Sequence, residues 1–381
     1  MNIAIIGGKL QGVEAAYLAA KAGWEVTVID RNPHVPASGL CHHFIRADIS
    51  SQSDIYPLLG TFDWIIPALE NQSALAQLQK YAQIDDLPIL FDFEAYAISS
   101  SKIDSDRLFR DIHIPLPAPY PDCGFPLIAK PNHGSGSHGI HIIHNDGQLR
   151  SYLAASTHEY VLQKFVPGPS YSLEVLGAPG NYYPLQVTEL EMDPDFDCKR
   201  IVAPSDLPQE LVMVFERGAV TIAEALALDG LMDIEVIRDG DTLRVLEIDA
   251  RLPSQTPISV YASTGVNMLQ LLTDSYSAHM DTNRSKPSSE KGVIFEHIHI
   301  TENRLTVRGE GVMASAGPLH LKTDFFGADE VITNQLAGRS DWVATLIIIA
   351  QNRDDVWQKR RAVIANIMDF FRLDSYHDPY P

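Results

Sequence analysis

Residues 230–257, GLMDIEVIRDGDTLRVLEIDARLPSQTP, carry acidic side chains in a pattern that limits how this part of the chain can fold. Two runs of strand-forming residues, Ile234–Arg238 and Thr242–Ala250, flank the turn signal DGD and predict a β-hairpin. With a three-residue loop, the alternation of side chains places four carboxylates on one face of the hairpin: Asp233, Glu235, Glu247 and Asp249. A loop of even length would divide them between two faces.

Four carboxylates on one face repel one another and are costly to desolvate, so a fold that keeps them together requires a cation or a cationic ligand. Mg²⁺ fits, because it prefers hard oxygen ligands, uses one or two protein carboxylates and completes its octahedron with water and phosphate oxygens. The reverse face is core-like and carries Ile234, Val236, Leu246 and Ile248. A solvated hairpin face is the alternative, and the combination favours a metal and phosphate site.

Charge and composition limit the partners of the chain. Its 381 residues exceed one ordinary core, so two or three domains are expected. The formal net charge of −20 argues against binding to nucleic acid or to an anionic membrane, because both are polyanions. Cys41, Cys123 and Cys198 lack CxxC spacing, which favours a reducing, cytoplasmic environment. No apolar run reaches the ~20 residues of a membrane span, and nothing in the sequence predicts an oligomeric state.

The first 95 or so residues alternate strands and helices in the order expected for a parallel sheet. Strands are predicted at Asn2–Ile6, Glu25–Asp30, Trp64–Pro67 and Pro88–Phe91, with a helix over Val13–Ala22. A dinucleotide-binding fold is the alternative, but Lys9 stands where the second glycine of Gly-x-Gly-x-x-Gly belongs. Glu70 follows a strand at the sheet edge where ligands gather, or is an ordinary acid of a first helical turn.

A glycine-rich turn in the segment PLIAKPNHGSGSHGIHII indicates anion binding. Leu127–Lys130 and Ile140–Ile143 predict the flanking strands, and the small residues between them leave backbone N–H groups accessible to phosphate oxygens. Lys130 ends the first strand, and Lys102 stands at the start of a predicted helix whose preceding serines suit an N-cap. The Walker A pattern is absent, so a nucleotide lid is the interpretation and a flexible surface loop is the alternative.

A Pro-Gly-Pro break separates two further predicted strands, Tyr160–Phe165 and Ser170–Leu176. Such a break can leave amide groups at the end of the first strand unpaired and able to bind a flat heteroaromatic edge, or it joins a plain hairpin. Later elements are predicted as helices at Phe215–Leu228, Asn267–His279 and Val356–Phe371, and a strand at Leu346–Ala350. The longer apolar run Trp342–Ala350 is expected to be a buried strand. His297 and His299 alternate on a strand, where packed or solvated histidines are favoured over metal ligands.

Taken in chain order, these parts resemble the ATP-grasp ligase superfamily. The order is an N-terminal α/β unit, Lys102, Lys130 with its glycine-rich turn, QKFVPG at 163–168, and Glu235 ahead of EIDAR at 247–251. The resemblance implies an α/β and α+β multidomain protein. Its expected parts are a Rossmann-like domain at 1–98, an ATP-grasp small subdomain with a glycine-rich lid at 99–166, and a large subdomain with a C-terminal extension at 167–381.

Within that superfamily, four segments are similar to the pyrrolysine-biosynthesis ligases, which join methyl-D-ornithine to lysine. They are IGGKLQGVEAAYLAAKAG, LFDFEAYAIS, YSLEV and, above all, VLEIDARLPSQTP. The resemblance implies ATP and Mg²⁺ as cofactors. It assigns ATP to Lys102, Lys130, Ser135, Gly136, Ser137, Gln163, Lys164, Phe165, Val166 and Ser170, and Mg²⁺ to Glu235, Glu247 and Asp249. Ser170 stands where the family often has an acid for ribose, and Asp249 where it commonly has Asn.

The expected chemistry is attack of an amino-acid carboxylate on the γ-phosphate of ATP, followed by displacement of phosphate by a second amino acid's amine. Arg251 and Lys130 would neutralise the transferred group, and Asp233 would pair with the lysine ε-ammonium or accept its proton. The small-molecule amino-acid substrates are expected at Lys9, Leu10, Gln11, Glu70, Asp233, Arg251, Ser254, Gln255 and Thr256, with residues 254–256 holding a carboxylate. The alternatives are an ATP-grasp ligase for other amino acids, an NAD-dependent dehydrogenase and a non-catalytic nucleotide sensor.

Overall fold

A computed structural model gives the structure of residues 1–51, 55–85, 87–134, 136–178, 180–277 and 290–380. The chain divides into two compact units. The first unit comprises Met1–Phe93, Leu190–Ser205 and Arg251–Pro381, and the second comprises Glu94–Glu189 and Asp206–Ala250. The three-part division expected from the family resemblance stays a prediction.

The strands and helices are numbered in chain order. The strands are β1 (Asn2–Ile6), β2 (Glu25–Asp30), β3 (His43–Arg46), β4 (Trp64–Pro67), β5 (Leu127–Pro131), β6 (His141–Ile143), β7 (Tyr160–Lys164), β8 (Ser170–Ala178), β9 (Asn181–Met192), β10 (Cys198–Ala203), β11 (Gly230–Asp239), β12 (Thr242–Asp249), β13 (Gly292–Thr301), β14 (Arg304–Val307), β15 (His320–Phe325), β16 (Ala328–Thr333), β17 (Asp341–Ala350) and β18 (Ser375–His377). The helices are α1 (Leu10–Lys21), α2 (Tyr56–Leu59), α3 (Gln72–Asp85), α4 (Phe93–Ser99), α5 (Lys102–Asp111), α6 (Asp146–Ala155), α7 (Gln209–Leu226), α8 (Thr256–Thr264), α9 (Met268–Tyr276), α10 (Gly311–Ala314) and α11 (Arg353–Phe371).

The first unit begins with a parallel sheet in the order β3-β2-β1-β4. Ile3–Ile6 of β1 are fully buried, and burial of each isoleucine side chain stabilises the fold by about 1.5–3 kcal/mol. The predictions for β1, β2 and β4 are confirmed. The strand predicted at Pro88–Phe91 is wrong: this segment forms only an isolated bridge between Ile65 and Ile89 before helix α4 begins.

The rest of the first unit is built on strands in the order β10-β13-β17-β16-β15. Apolar residues of β13, β17 and α11 form a core with Trp342 at its centre. Helix α11 presents apolar residues three and four positions apart, and Asn352 caps it by accepting a hydrogen bond from the Asp355 N–H at 3.0 Å. The buried strand predicted over Trp342–Ala350 is confirmed as β17, of which Leu346–Ala350 is the end. Helix α8 was not predicted.

The second unit contains a sheet in the order β12-β11-β8-β9 and a three-stranded antiparallel sheet in the order β6-β5-β7. Helix α7 packs its buried residues, among them Phe215 and Ile222, into the same core as the apolar residues of β8 and β11. The strands predicted on both sides of the glycine-rich turn and of the Pro-Gly-Pro break are confirmed to within two residues. Strands β9 and β10 were not predicted.

The acidic hairpin closes with a two-residue loop, since Asp239 pairs with Thr242. The predicted three-residue loop is therefore wrong. A β-bulge, where the register shifts between Glu235 and Val236, supplies the extra residue that the loop lacks.

The bulge restores the predicted arrangement of the acids. Asp233 pairs with Asp249 and Glu235 with Glu247, so the four carboxylates share one face as expected. The predicted core position of Leu246 is wrong. It is the extra residue in the bulge and is only partly buried, whereas its neighbour Val245 lies in the core.

Two expectations from composition concern covalent links and membranes. Cys41, Cys123 and Cys198, all within the described chain, form no disulfide bond. Among the helices of the described residues, none combines the length and the apolar character required to cross a membrane.

Candidate active site

Three neighbouring strands of the second unit present acidic side chains on the same face. One row consists of Glu174 on β8, Asp233 on β11 and Asp249 on β12. The next row consists of Ser172, Glu235 and Glu247. The alternate residues of these strands, such as Leu173 and Ile234, lie in the core, so both rows face away from it. Because adjacent strands are about 4.8 Å apart, these five carboxylates share a small area.

Lys102 connects the acidic rows to the glycine-rich turn. Its Nζ lies 3.0 Å from Glu247 Oε2 and donates to the Gly134 carbonyl oxygen at 3.0 Å. Lys102 is the first residue of α5, which Ser101 caps by accepting a hydrogen bond from the Asp104 N–H. Burial acts to lower the pKa of Lys102, but attraction and hydrogen bonding to Glu247 raise it above its ordinary value. Lys102 is therefore held as a cation.

Asn132, in the glycine-rich turn, fixes the position of Lys102. Its Oδ1 accepts hydrogen bonds from the Ile103 N–H at 2.9 Å and from Ser101 Oγ at 3.2 Å. Its carbonyl oxygen accepts from the Lys102 N–H at 3.0 Å. The turn and the start of α5 thus hold Lys102 from two sides.

Lys130 on β5 is a second buried lysine near the same acids. Burial lowers its pKa, while attraction to Glu247 acts in the opposite direction and the charge of Lys102 repels it. Burial also raises the pKa of the neighbouring Asp106, which accepts a hydrogen bond from Gln163 Nε2 at 2.8 Å. Two lysines close enough to repel one another are suited to a ligand with several negative charges.

The glycine-rich turn adopts backbone conformations that support anion binding. Gly134, Gly136 and Gly139 have φ values of +124°, +62° and +78°, and Ser137 has +58°. Left-handed residues within a turn create concave backbone surfaces that bind anions, and glycine adopts them without steric cost. The predicted contact Ser135 lies outside the described residues.

The predicted metal ligands lie on the acidic face of the hairpin. In the part of the chain that the structure describes, no group of three or more His, Cys, Asp or Glu side chains could hold a metal ion by itself. Glu247 is instead paired with Lys102. The oxygen donors still fit Mg²⁺, because that ion usually takes only one or two protein carboxylates and completes its shell with phosphate and water. Glu235 and Glu247 face each other across the strands, and Asp249 lies in the adjacent row.

The segment predicted to bind adenine departs from expectation. The N–H of Lys164 donates to the Ala118 carbonyl oxygen at 2.8 Å, and that of Phe165 to the Pro126 carbonyl oxygen at 3.0 Å. The expectation of unpaired amides at this strand end is wrong for these two residues, because the chain that precedes β5 runs beside them. The Val166 N–H shows no hydrogen bond to another described residue.

The remaining predicted nucleotide contact is Ser170. It is buried at the start of β8, where it pairs in register with Ile237. A ribose contact by Ser170 therefore stays a prediction, as do the roles of Gln163, Lys164 and Phe165.

The first unit brings three predicted amino-acid-binding residues together. Gln11 Nε2 donates to Glu70 Oε1 at 3.0 Å, and Arg251 Nη2 lies 2.7 Å from the same oxygen. Glu70 precedes α3, so it is not an acid of the first helical turn. Gln11 and Arg251 are buried, whereas Lys9 is exposed and Leu10 partly buried at the start of α1. Residues distant in sequence thus form one polar group around Glu70.

Residues 254–256 lie at the start of α8 and include buried polar groups. Gln255 has a φ of +98°, a conformation that residues with a side chain rarely adopt. Gln255 and Thr256 are 6% and 4% exposed. Their side-chain oxygens Oε1 and Oγ1 have no hydrogen-bond partner among the described residues. Buried groups of this kind call for a ligand or for ordered water.

Glu310, which the sequence did not single out, contacts this segment. Burial raises the pKa of Glu310 to about 7, and repulsion from Asp197 adds to the rise. Hydrogen bonds with Gln255 and Ser254 and the attraction of Arg251 act in the opposite direction. The Oε2 atom of Glu310 is buried and has no hydrogen-bond partner among the described residues.

Sequence reasoning thus missed Glu174 and Glu310. Glu174 had a signal, because in the strand YSLEV the polar residues Ser172 and Glu174 alternate with apolar ones. Glu310 had none, since it lies in the polar sequence RGEG just before α10.

Close packing accounts for the glycines that suggested a dinucleotide fold. A Cβ atom at Gly8 would lie 2.2 Å from Val35 Cγ2, and one at Gly12 would lie 2.3 Å from the Gly7 carbonyl oxygen. Asp30 accepts a hydrogen bond from the Gly8 N–H at 2.9 Å. The glycine pattern and Asp30 therefore serve the packing of the first loop.

The domain and the fold agree with solved structures of one class. A sequence model of the ATP-grasp domain matches residues 99–255. The chain is similar to the L-amino acid ligase from Bacillus licheniformis, with a TM-score of 0.70, 16% identity and coverage of 96% of this chain and 97% of that chain. It is also similar to the biotin carboxylase domain of the Hydrogenobacter thermophilus 2-oxoglutarate carboxylase, solved with MgADP, with a TM-score of 0.73, 14% identity and coverage of 96% and 89%.

The fold and the domain match are those of an ATP-grasp protein, and the sequence relatives make the chain an ATP-dependent carboxylate–amine ligase. A more specific relationship comes from sequence. The 3-methyl-D-ornithine–L-lysine ligase of Methanosarcina acetivorans is 33% identical over 97% of this chain and 98% of its own length. The chain belongs to the 3-methyl-D-ornithine–L-lysine ligase family.

Proposed function

We propose that the protein joins the carboxylate of 3-methyl-D-ornithine to the ε-amine of L-lysine at the expense of ATP, as a step of pyrrolysine biosynthesis. The observation that carries the proposal is the 33% identity to the M. acetivorans ligase over nearly the whole of both chains. In the first step a carboxylate oxygen attacks the γ-phosphorus of ATP, and ADP leaves. In the second step the amine nitrogen attacks the acyl carbon, and phosphate leaves with the electron pair of the C–O bond.

The second unit is assigned to ATP. Lys102 contacts the glycine-rich turn and Lys130 is buried near the same acids, so together with Gly136 and Ser137 they would hold the phosphates. Because phosphoryl transfer needs little covalent participation by the protein, positioning and charge neutralisation are the main contributions of these residues.

Mg²⁺ is assigned to Glu235, Glu247 and Asp249, whose oxygens suit this ion. When bound, the ion would neutralise negative charge on the phosphates. Lys102 would then have to exchange Glu247 for a phosphate oxygen. The ion pair between Lys102 and Glu247 keeps both groups in place before ATP binds.

Formation of the amide requires a neutral amine, whereas the lysine side chain is an ammonium at pH 7. We assign to Asp233 the role of accepting this proton. It is buried, stands between Glu174 and Asp249 on the neighbouring strands, and would pair with the ammonium and accept its proton as the C–N bond forms.

The first unit is assigned to the amino acids. Arg251 is held by Glu70, and its guanidinium would bind a carboxylate or the acyl phosphate that replaces it. Gln11 and the segment 254–256 would contact the same substrate. Lys9 and Leu10, at the start of α1, stay predicted contacts.

An ADP-release assay with mass detection of the amide tests the proposal. We expect ADP and an amide from D-ornithine or 3-methyl-D-ornithine together with L-lysine, and none when Mg²⁺ is chelated. Nε-acetyl-L-lysine should give no amide, because its ε-nitrogen is blocked, whereas Nα-acetyl-L-lysine keeps the nucleophile. Hydroxylamine in place of lysine should trap the acyl phosphate as a hydroxamate.

The outcomes separate the alternatives. Failure to release ADP with any pair of amino acids would contradict the ligase proposal. ADP and amide from other pairs, but not from these, would show an ATP-grasp ligase of different specificity.

A further inference from the structure

The start of α8 and the neighbouring Glu310 contain more hydrogen-bond acceptors than the described residues satisfy. Three buried oxygens have no hydrogen-bond partner among the described residues: Gln255 Oε1, Thr256 Oγ1 and Glu310 Oε2. An ionised carboxylate and an amide oxygen can only accept a hydrogen bond, and a hydroxyl accepts readily. A ligand for these atoms must therefore bring N–H or O–H donors.

The charges nearby indicate which donor fits. Asp197 repels Glu310 and itself accepts a hydrogen bond from the Gly311 N–H at 2.9 Å. Arg251, the cation close to Glu310, lies 2.7 Å from Glu70 and is already matched by an acid. A positively charged donor placed beside Glu310 would therefore relieve its repulsion from Asp197 and satisfy the buried oxygens.

The segment 254–256 is held in place before a ligand binds. Gln255 keeps its rare positive φ while its side chain hydrogen-bonds to Glu310, so the backbone strain is supported by this contact. The N–H of Ile258, one turn further on, donates to Glu14 of α1 at 2.7 Å. The acceptors at the start of α8 are thus held by contacts with Glu310 and Glu14.

We propose that Glu310 binds an ammonium group of the amino-acid substrate, with Gln255 and Thr256 supplying two further acceptors. The proposal rests on the ligase function above and changes one of its details. Residues 254–256 were expected to hold a substrate carboxylate. Their unpartnered oxygens are acceptors and instead suit a positively charged ammonium group. Arg251 takes the carboxylate end and Glu310 an amino end of the same zwitterion.

The test compares Glu310→Gln with wild type in the ADP-release assay. The KM of one of the two amino acids should rise about 10- to 100-fold, while the KM of ATP changes less than twofold. D-Ornithine is then replaced by D-norvaline, which has a hydrogen in place of the side-chain ammonium. L-Lysine keeps its ε-amine in this test, because that nitrogen is the nucleophile. If Glu310 binds a side-chain ammonium, the variant should lose the wild-type preference for the amine.

If Glu310 binds an α-ammonium, the variant should instead lose discrimination against the matching α-hydroxy acid. Thr256→Val gives an independent measurement, because it removes one acceptor and no hydrogen bond to a described residue. Its effect on the same KM should be about 3- to 10-fold. Glu302→Gln, an identical change in the exposed turn after β13, is the matched control and should alter no KM.

The inference is overturned if Glu310→Gln raises no amino-acid KM, or raises it equally for substrates with and without each amine. Absence of ADP from the wild-type protein with every amino acid would instead contradict the proposed function, so the two failures are distinguishable. Thermal unfolding of both variants confirms that they are folded.

Discussion

Two groups of buried charges differ in how their signs are balanced. In the first unit, three cations meet three carboxylates: Lys199, Arg200 and Arg360 with Glu191, Glu296 and Asp378. In the second unit, five carboxylates on β8, β11 and β12 are accompanied by Lys102 and Lys130. The first group is neutral in sum, whereas the second has an excess of negative charge.

The balanced group is satisfied by direct contacts. Arg200 and Glu296 are fully buried and form an ion pair. Arg360 Nη2 lies 2.7 Å from Glu296 Oε1, and Arg200 Nη2 lies 2.6 Å from Asp378 Oδ2. Lys199 Nζ donates to Asp378 Oδ1 at 2.7 Å. Asp378 thereby anchors the C-terminal segment.

The comparison separates a structural role from a binding role. A buried charge that is matched and hydrogen-bonded needs nothing further, and removal of one partner destabilises the fold. An excess of one sign is tolerated where a ligand of the opposite sign completes the site. We therefore expect changes in the balanced group to affect stability and changes in the acidic rows to affect activity.

The largest effect is expected for Glu247→Gln. The substitution removes a carboxylate that we assign to Mg²⁺ and the ion-pair partner of Lys102. Turnover should fall by at least about 10⁴-fold, equivalent to about 5 kcal/mol of activation free energy. The melting temperature should change little, because the loss of the Lys102 ion pair is offset by reduced like-charge repulsion on the hairpin. ADP release and its Mg²⁺ dependence measure the effect.

Asp241→Asn is the matched control for Glu247→Gln. Asp241 lies in the turn of the same hairpin, and its side chain is fully exposed. This variant should retain wild-type turnover. Wild-type turnover in a folded Glu247→Gln protein would show that the metal site is assigned to the wrong residues.

A smaller effect, on stability instead of turnover, is expected for Glu296→Gln. The change leaves Arg200 and Arg360 buried without their shared carboxylate. The free energy of unfolding should fall by about 3–5 kcal/mol. Urea denaturation followed by the fluorescence of buried Trp342 measures it, with Glu302→Gln as the exposed control on the turn after the same strand.

The folded fraction of Glu296→Gln should turn over like wild type. A loss of stability below about 1 kcal/mol, or a loss of turnover in folded protein, would remove the distinction between the two groups of charges.

The acidic face was predictable from sequence, but its geometric cause was not recognised. Alternation indicated that the four carboxylates share a face, and the structure confirms this. The bulge also had a signal. Buried apolar residues occupy odd positions at Leu243 and Val245 but an even position at Ile248. The alternation is therefore interrupted between Val245 and Ile248, where Leu246 is the inserted residue. The assumed three-residue loop gave the same register for a different reason.

Contacts between distant segments could not be derived from alternation. Gln11, Glu70 and Arg251 meet in one group, although the first two are 59 positions apart in sequence. Periodicity within a segment does not predict which distant segments come into contact. Glu310 lies in a loop, where no period applies. The family resemblance predicted the first three residues, whereas Glu310 is recognised only in the structure.

The smallest effect concerns the pH dependence of stability and uses Glu310. Burial raises the pKa of Glu310 to about 7 from its ordinary 4.5, with Asp197 adding to the rise. Below about pH 4.5 the carboxyl is protonated in the folded and unfolded states alike. As the pH rises from 4.5 to 7, the unfolded chain ionises first, so stability is lost through this window. Glu310→Gln lacks this loss, because its amide does not ionise.

The variant should therefore match wild type near pH 4.5 and exceed it by about 1–3 kcal/mol above pH 7, measured by urea denaturation without substrates. This direction is opposite to that expected for Glu296→Gln, because a residue that serves a ligand lowers stability until the ligand binds. Addition of the amino acid that Glu310 recognises should stabilise wild type more than the variant. A difference between the two proteins that does not change with pH would contradict the raised pKa and place Glu310 among the structural charges.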